Sequence, residues 1–160
     1  MPIFISFAFV ADLEQAVAFL TPPFTLETYY SEPGSPKLVT NEEPWHIRMR
    51  VAEMIARQFE LERFHSKALY VIGTTCSKTS LPDSDLDLLV IFDGDAHLRT
   101  ELLAWFEGWG LSLSEQIFKR TGYRIHNFID VTLISSEDIK SNDYYRKMLA
   151  TTSNEAIKLK

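Results

Sequence analysis

The chain has 160 residues, 46% of them hydrophobic and 24% charged, with a formal net charge of -6. That length suits one domain with a real core, and that composition excludes both a disordered chain and a membrane-spanning one. The acidic balance disfavours a long grip on nucleic-acid phosphates unless basic residues cluster or a partner supplies them.

From the N-terminus, the apolar run Ile3 to Val10 is short and has no basic residue before it, so it reads as a strand or helix start rather than a signal peptide. Asp12 to Leu20 is a short helix candidate. Thr21 to Pro44 holds five of the seven prolines together with Gly34 and reads as irregular connection. Residues 1–43 are therefore a partly irregular lead into a single domain spanning 1–160. From Pro44 to about Phe64, Ile47, Val51, Met54, Ile55 and Phe59 recur at three- and four-residue steps, the stripe of an amphipathic helix. Its charged residues, Arg48, Arg50, Arg57 and Arg63 with Glu53, Glu60 and Glu62, read as a solvated face rather than an RNA path.

Ala68 to Ile72 is a strand stopped by Gly73, and Asp85 to Phe92 is a second. After Asp93-Gly94-Asp95, Asp95 caps a helix that buries Leu98, Leu102, Trp105 and Phe106. A separate helix is expected after Ser112 or Ser114, a third strand over Ile125 to Ile134, and a helix start at Ser135-Ser136-Glu137-Asp138. The remainder to Lys160 reads as helical or frayed. Helices interleaved with three strands predict an α/β chain with one sheet, its strand order open. The single cysteine, Cys76, cannot form an internal disulfide, which fits an intracellular, cytoplasmic setting.

The chemistry concentrates where Gly73-Thr74 closes one strand and Asp85-Leu86-Asp87 opens the next. Strand side chains alternate, so Asp85, Asp87, Leu89 and Ile91 share one face while Leu86, Leu88, Val90 and Phe92 share the other. Two carboxylates held that close repel unless a cation lies between them. An all-carboxylate set points to a hard ion, Mg²⁺ with Mn²⁺ as substitute. Asp130 is the third candidate ligand: it sits among Phe128, Ile129, Val131, Leu133 and Ile134, where an unpaired charge wants a partner. Beside the Asp85 strand it would complete a three-carboxylate cluster holding two ions, one activating an attacking hydroxyl, the side given to Asp130, and one stabilising a leaving pyrophosphate. Gly73 allows close backbone approach to phosphate, Thr74 offers a hydroxyl, and Lys78 adds a point charge.

On these residues the chain resembles the nucleotidyltransferase superfamily that includes DNA polymerase β. The family pattern is a hydrophobic residue, Gly, then Gly or Ser, about ten residues, and Asp-x-Asp between hydrophobic residues. Ile72-Gly73-Thr74 and Asp85-Leu86-Asp87-Leu88 match it at that spacing. Leu81-Pro82-Asp83-Ser84-Asp85-Leu86-Asp87 is similar to the loop of the template-independent RNA poly(A) and poly(U) polymerases, and the likeness covers roughly residues 44 to 135. Two positions depart: Thr74 stands for the family's serine, and Lys78 for a glycine common in its loop.

The resemblance implies an α+β nucleotidyltransferase fold, a small mixed sheet flanked by helices. It also implies an NTP held by Gly73, Thr74, Lys78 and Ser84, and nucleoside monophosphate transfer to a hydroxyl, preferably an RNA 3′ end. The helical second domain that selects the base in such polymerases has no counterpart in this length, which leaves a minimal transferase, a truncated copy, or a protein partner that supplies the missing helical domain. The alternatives are a minimal transferase that adenylylates a protein or small molecule, and a non-catalytic scaffold of the same fold.

Overall fold

The computed structural model describes residues 43–81, 84–121 and 125–160. The expectations for Ile3–Val10 and Asp12–Leu20, and for Thr21–Pro44 apart from its last two residues, lie outside them. Helix α1 runs Pro44–Gln58, with its proline in the first turn, where the missing N–H costs nothing. Its buried stripe is the expected one, Ile47, Val51, Met54 and Ile55. The helix ends six residues before the expected Phe64, because Phe59 turns extended (φ -76, ψ 119). Phe59 and Phe64 then stack at 5.7 Å, and Phe59 also meets Trp105 and Phe106 at 5.5 Å. An aromatic knot, not a helical stripe, explains the apolar residues at the end of that pattern. A second correction concerns Arg48, which is no part of a solvated face: it is 2% exposed.

Among the described residues four strands form one sheet: β1 Ser66–Ile72, β2 Leu86–Phe92, β3 Ile129–Ile134 and β4 Ala156–Lys158, in the order β3-β2-β1-β4. β1 pairs antiparallel with both β2 and β4, whereas β2 and β3 are parallel, so the sheet is mixed and the chain is α/β, as expected. The fourth strand replaces the helical or frayed C-terminus of the sequence reading. Three residues with two lysines close by are too short for an alternation to be visible, and their strand state comes from the β1 edge they cover. β3 begins at Ile129 rather than Ile125, since Asn127 adopts φ 51 and breaks the extended run.

The single-turn helix α2, Gly73–Cys76, follows β1 directly. Helix α3, Ala96–Thr121, is one element of 26 residues where two helices were expected. Asp95 starts it, its Oδ1 accepting the Leu98 N–H at 2.9 Å. The serines taken as a new start lie inside it, and Ser114 Oγ donates to the Ile125 carbonyl at 2.5 Å, tying the helix to the approach to β3. α4 (Ser136–Ser141) opens with the expected capping box between Ser135 and Asp138, and α5 (Asp143–Met148) follows.

The two faces of β2 divide the core as alternation requires. Leu86, Leu88, Val90 and Phe92 pack with Val51 and Ile55 of α1 and Leu102, Phe106 and Trp109 of α3. Leu89 and Ile91 join Ile134 and Met148 on the other face. Replacing Leu88, fully buried between both layers, by alanine should cost about 2–5 kcal/mol, against less than about 0.5 kcal/mol for Thr132→Ala on exposed β3. Denaturant midpoints of the two variants check this.

Candidate metal centre

β1 enters the site at Gly73, whose φ of +66 lies in the left-handed region. A side chain there is excluded twice: by the backbone angle, and because a Cβ would collide with the Asp87 Oδ2 and stand 2.9 Å from its Cγ. The carboxylate of Asp87 thus occupies the space a side chain at 73 would fill. The Thr74 N–H donates to the same carboxylate. Ser77 N–H and Thr79 N–H close the turn onto the Gly73 and Thr74 carbonyls at 3.0 and 2.9 Å.

Asp85 is exposed just ahead of β2, and Asp87, half-buried, is its second residue. Because β2 and β3 run parallel with Asp87 opposite Asp130 in the register, the third carboxylate falls beside the first two. Ligand oxygens of Asp85, Asp87 and Asp130 all lie within 4.8 Å of one another. Asp130 is exposed on an edge strand. What brings it into the cluster is therefore register rather than the cost of burial in an apolar strand.

Burial, then the charges of Asp85 and Asp130, raise the pKa of Asp87 above the ordinary 3.8, and the Thr74 N–H offsets part of this. Three carboxylates with oxygens this close suit a divalent, oxygen-seeking cation, which relieves the cost of ionising Asp87. Asp130 also helps to wall a cleft of about 380 Å³ between α3 and residues 125–131, lined by Phe106, Glu107, Gly110, Leu111 and His126 among others. Asp85 and Asp87 do not line this cleft, and its strand residues Ile129 and Val131 belong to the α3 face of the sheet, opposite the side that carries Asp87.

The other sequence candidates sit around the turn. Thr74 is half-buried and its hydroxyl accepts from Ser80 Oγ at 3.3 Å. Ser84 Oγ accepts the Leu81 N–H at 2.8 Å, closing the loop ahead of Asp85. Lys78 adopts φ 62, the left-handed conformation a glycine would take without strain, so the lysine at this position costs backbone energy. Its ammonium lies 4.9 Å from the Trp45 ring centroid, a cation–π contact with α1.

The residue missed by sequence reasoning is Arg48. Its Nε and Nη2 donate to the Ser84 carbonyl at 2.9 and 2.5 Å, and its Nη1 to the Pro44 carbonyl at 3.1 Å. The signal was positional: Arg48 stands four residues before Ala52 and seven before Ile55, on the buried stripe itself.

No protein-family model matches the chain, and neither a curated protein nor a solved structure is similar to it.

The raised pKa of Asp87 has a defined sign. The folded state holds the Asp87 proton more tightly than the unfolded chain does, so this group's contribution to stability is complete below pH 3.8 and is lost as pH rises through its higher folded value. Without divalent ions, Asp87→Asn should gain on the wild type in denaturant midpoint as pH is raised from about 4 to about 7; a constant difference between the two curves would contradict this. Gly73→Ala should lower stability by about 1 kcal/mol or more, read as a fall in thermal midpoint.

Proposed function

We propose that the protein is a metal-dependent nucleotidyltransferase of the DNA polymerase β-like superfamily. It would transfer a nucleoside monophosphate from an NTP to a hydroxyl acceptor, preferably an RNA 3′ end, and release pyrophosphate. One observation carries this reading: Asp85, Asp87 and Asp130 converge within 4.8 Å beside a left-handed glycine turn that admits no side chain. The Gly-Thr turn, the ten-residue loop and the Asp-x-Asp strand of the sequence pattern meet there in space.

Mg²⁺, or Mn²⁺ in its place, would supply charge to lower the cost of ionising the attacking hydroxyl and to balance the departing pyrophosphate. Asp85, Asp87 and Asp130 would hold it. Asp130 would take the acceptor side and orient the hydroxyl for in-line attack on the α-phosphorus. Gly73 and Thr74 take the phosphate side. Since the Thr74 N–H is committed to Asp87, phosphate contacts fall to the Thr74 hydroxyl and to Lys78, which would leave Trp45 to reach them. Ser84 shapes the loop through its bond to Leu81 and keeps its own hydroxyl proton for the nucleotide.

A second reading, transfer to a protein or small molecule, is favoured by the net charge of -6 and by Glu107 in the cleft beside Asp130. Incubation with α-labelled NTPs, Mg²⁺ and separate RNA and polypeptide acceptors distinguishes the two. Lengthened RNA is the expected result, and a labelled polypeptide without RNA extension selects the second reading. In either case Asp87→Asn and Asp130→Asn should each reduce transfer by about 100-fold or more. Full transfer by Asp130→Asn would remove the three-carboxylate reading.

A further inference from the structure

Arg48 reaches both strands that carry the acidic cluster. Two of its nitrogens grip the carbonyl of Ser84, the residue directly before Asp85. On its other side the guanidinium carbon lies 5.7 Å from the ring centroid of Phe128, two residues before Asp130. The Phe128 carbonyl in turn accepts the Leu86 N–H at 2.7 Å, joining the mouths of β2 and β3 between the two aspartates of one strand and the single aspartate of the other. Arg48 is 2% exposed and Phe128 1%.

Burying a guanidinium is expensive, and an apolar residue of similar volume would stabilise a purely structural joint at least as well. What an apolar residue cannot do is donate in a fixed planar fork to one carbonyl while stacking on a ring. Nor can it place a guanidinium on the carbonyl of the residue directly before Asp85.

We propose that Arg48 is a positioning residue for the cation-binding cluster, setting the separation of Asp85 and Asp87 from Asp130 by clamping the starts of both strands. Arg48 itself touches neither cation nor substrate; it acts through Ser84 and Phe128. The proposal rests on the metal-dependent reading above for its function, but its structural half is testable without it.

The test uses the full chain with Mn²⁺ alone as probe. Arg48→Gln and Arg48→Lys are compared with Val51→Ala, which removes buried volume from the next turn of α1 and keeps the Arg48 guanidinium. Mn²⁺ affinity, followed by electron paramagnetic resonance, should fall about 10-fold or more in Arg48→Gln, as when groups that orient metal ligands are removed. Arg48→Lys, which keeps the charge but not the fork, should recover part of the loss, while Val51→Ala should bind as the wild type does even if its melting temperature falls equally. Backbone shifts of Ser84, Asp85 and Asp130 should move in both Arg48 variants and not in Val51→Ala. Wild-type affinity in a folded Arg48→Gln, or an equal loss in Val51→Ala, overturns the proposal. If Arg48→Gln does not fold, Arg48→Lys carries the comparison. If the wild type itself binds no Mn²⁺, the proposed function falls, and the shifts alone decide whether Arg48 sets the carboxylates: unmoved shifts overturn it.

Discussion

Mutual repulsion among three carboxylates is the constraint around which this structure is arranged. Asp85 and Asp130 are exposed, whereas Asp87 is half-buried, and its burial first, then the charges of the other two, raise its pKa. The chain could avoid the strain only by turning β2 over, and it cannot: Leu86, Leu88 and Val90 are fully buried on the opposite face. One face is committed to the core, and alternation then projects the two aspartates together. Hydrophobic burial, worth far more in sum than one carboxylate's discomfort, wins locally.

Two supports make the arrangement tolerable. In front, Gly73 leaves room for the Asp87 side chain, and the Thr74 N–H donates to it. Behind, α2 is held against the C-terminal segment, where Cys76 Sγ donates to the Asn154 carbonyl at 3.1 Å. Burial, with Glu155 nearby, raises the pKa of that thiol, which keeps the S–H available as the donor. The short β4, invisible as a pattern, thus backs the turn that faces the acidic cluster.

What could be read from the sequence follows from the range of each interaction. Alternation along Asp85 to Phe92, the stop at Gly73 and the caps at Asp95 and Ser135 are local, and all are present in the structure. Asp130 was legible because a lone carboxylate in an apolar strand is conspicuous, although its partner depended on a pairing no sequence window contains. Arg48 was not, since a guanidinium on an amphipathic helix is usually solvated, and its acceptor lies 36 residues away. The continuity of α3 past Ser112 was hidden for a similar reason: the serine that resembles a cap spends its hydroxyl on a carbonyl eleven residues on. The nucleotide, its acceptor and the superfamily remain the proposal stated above.

The parallel pairing of β2 with β3 has a thermodynamic corollary. Asp85 and Asp87 are neighbours in any conformation, but Asp130 reaches them only after the long α3 crossover has closed. An ion that needs all three is thereby a ligand of the native state alone. By mass action its occupancy deepens the folding well, by about 2.7 kcal/mol at a hundredfold excess over its dissociation constant.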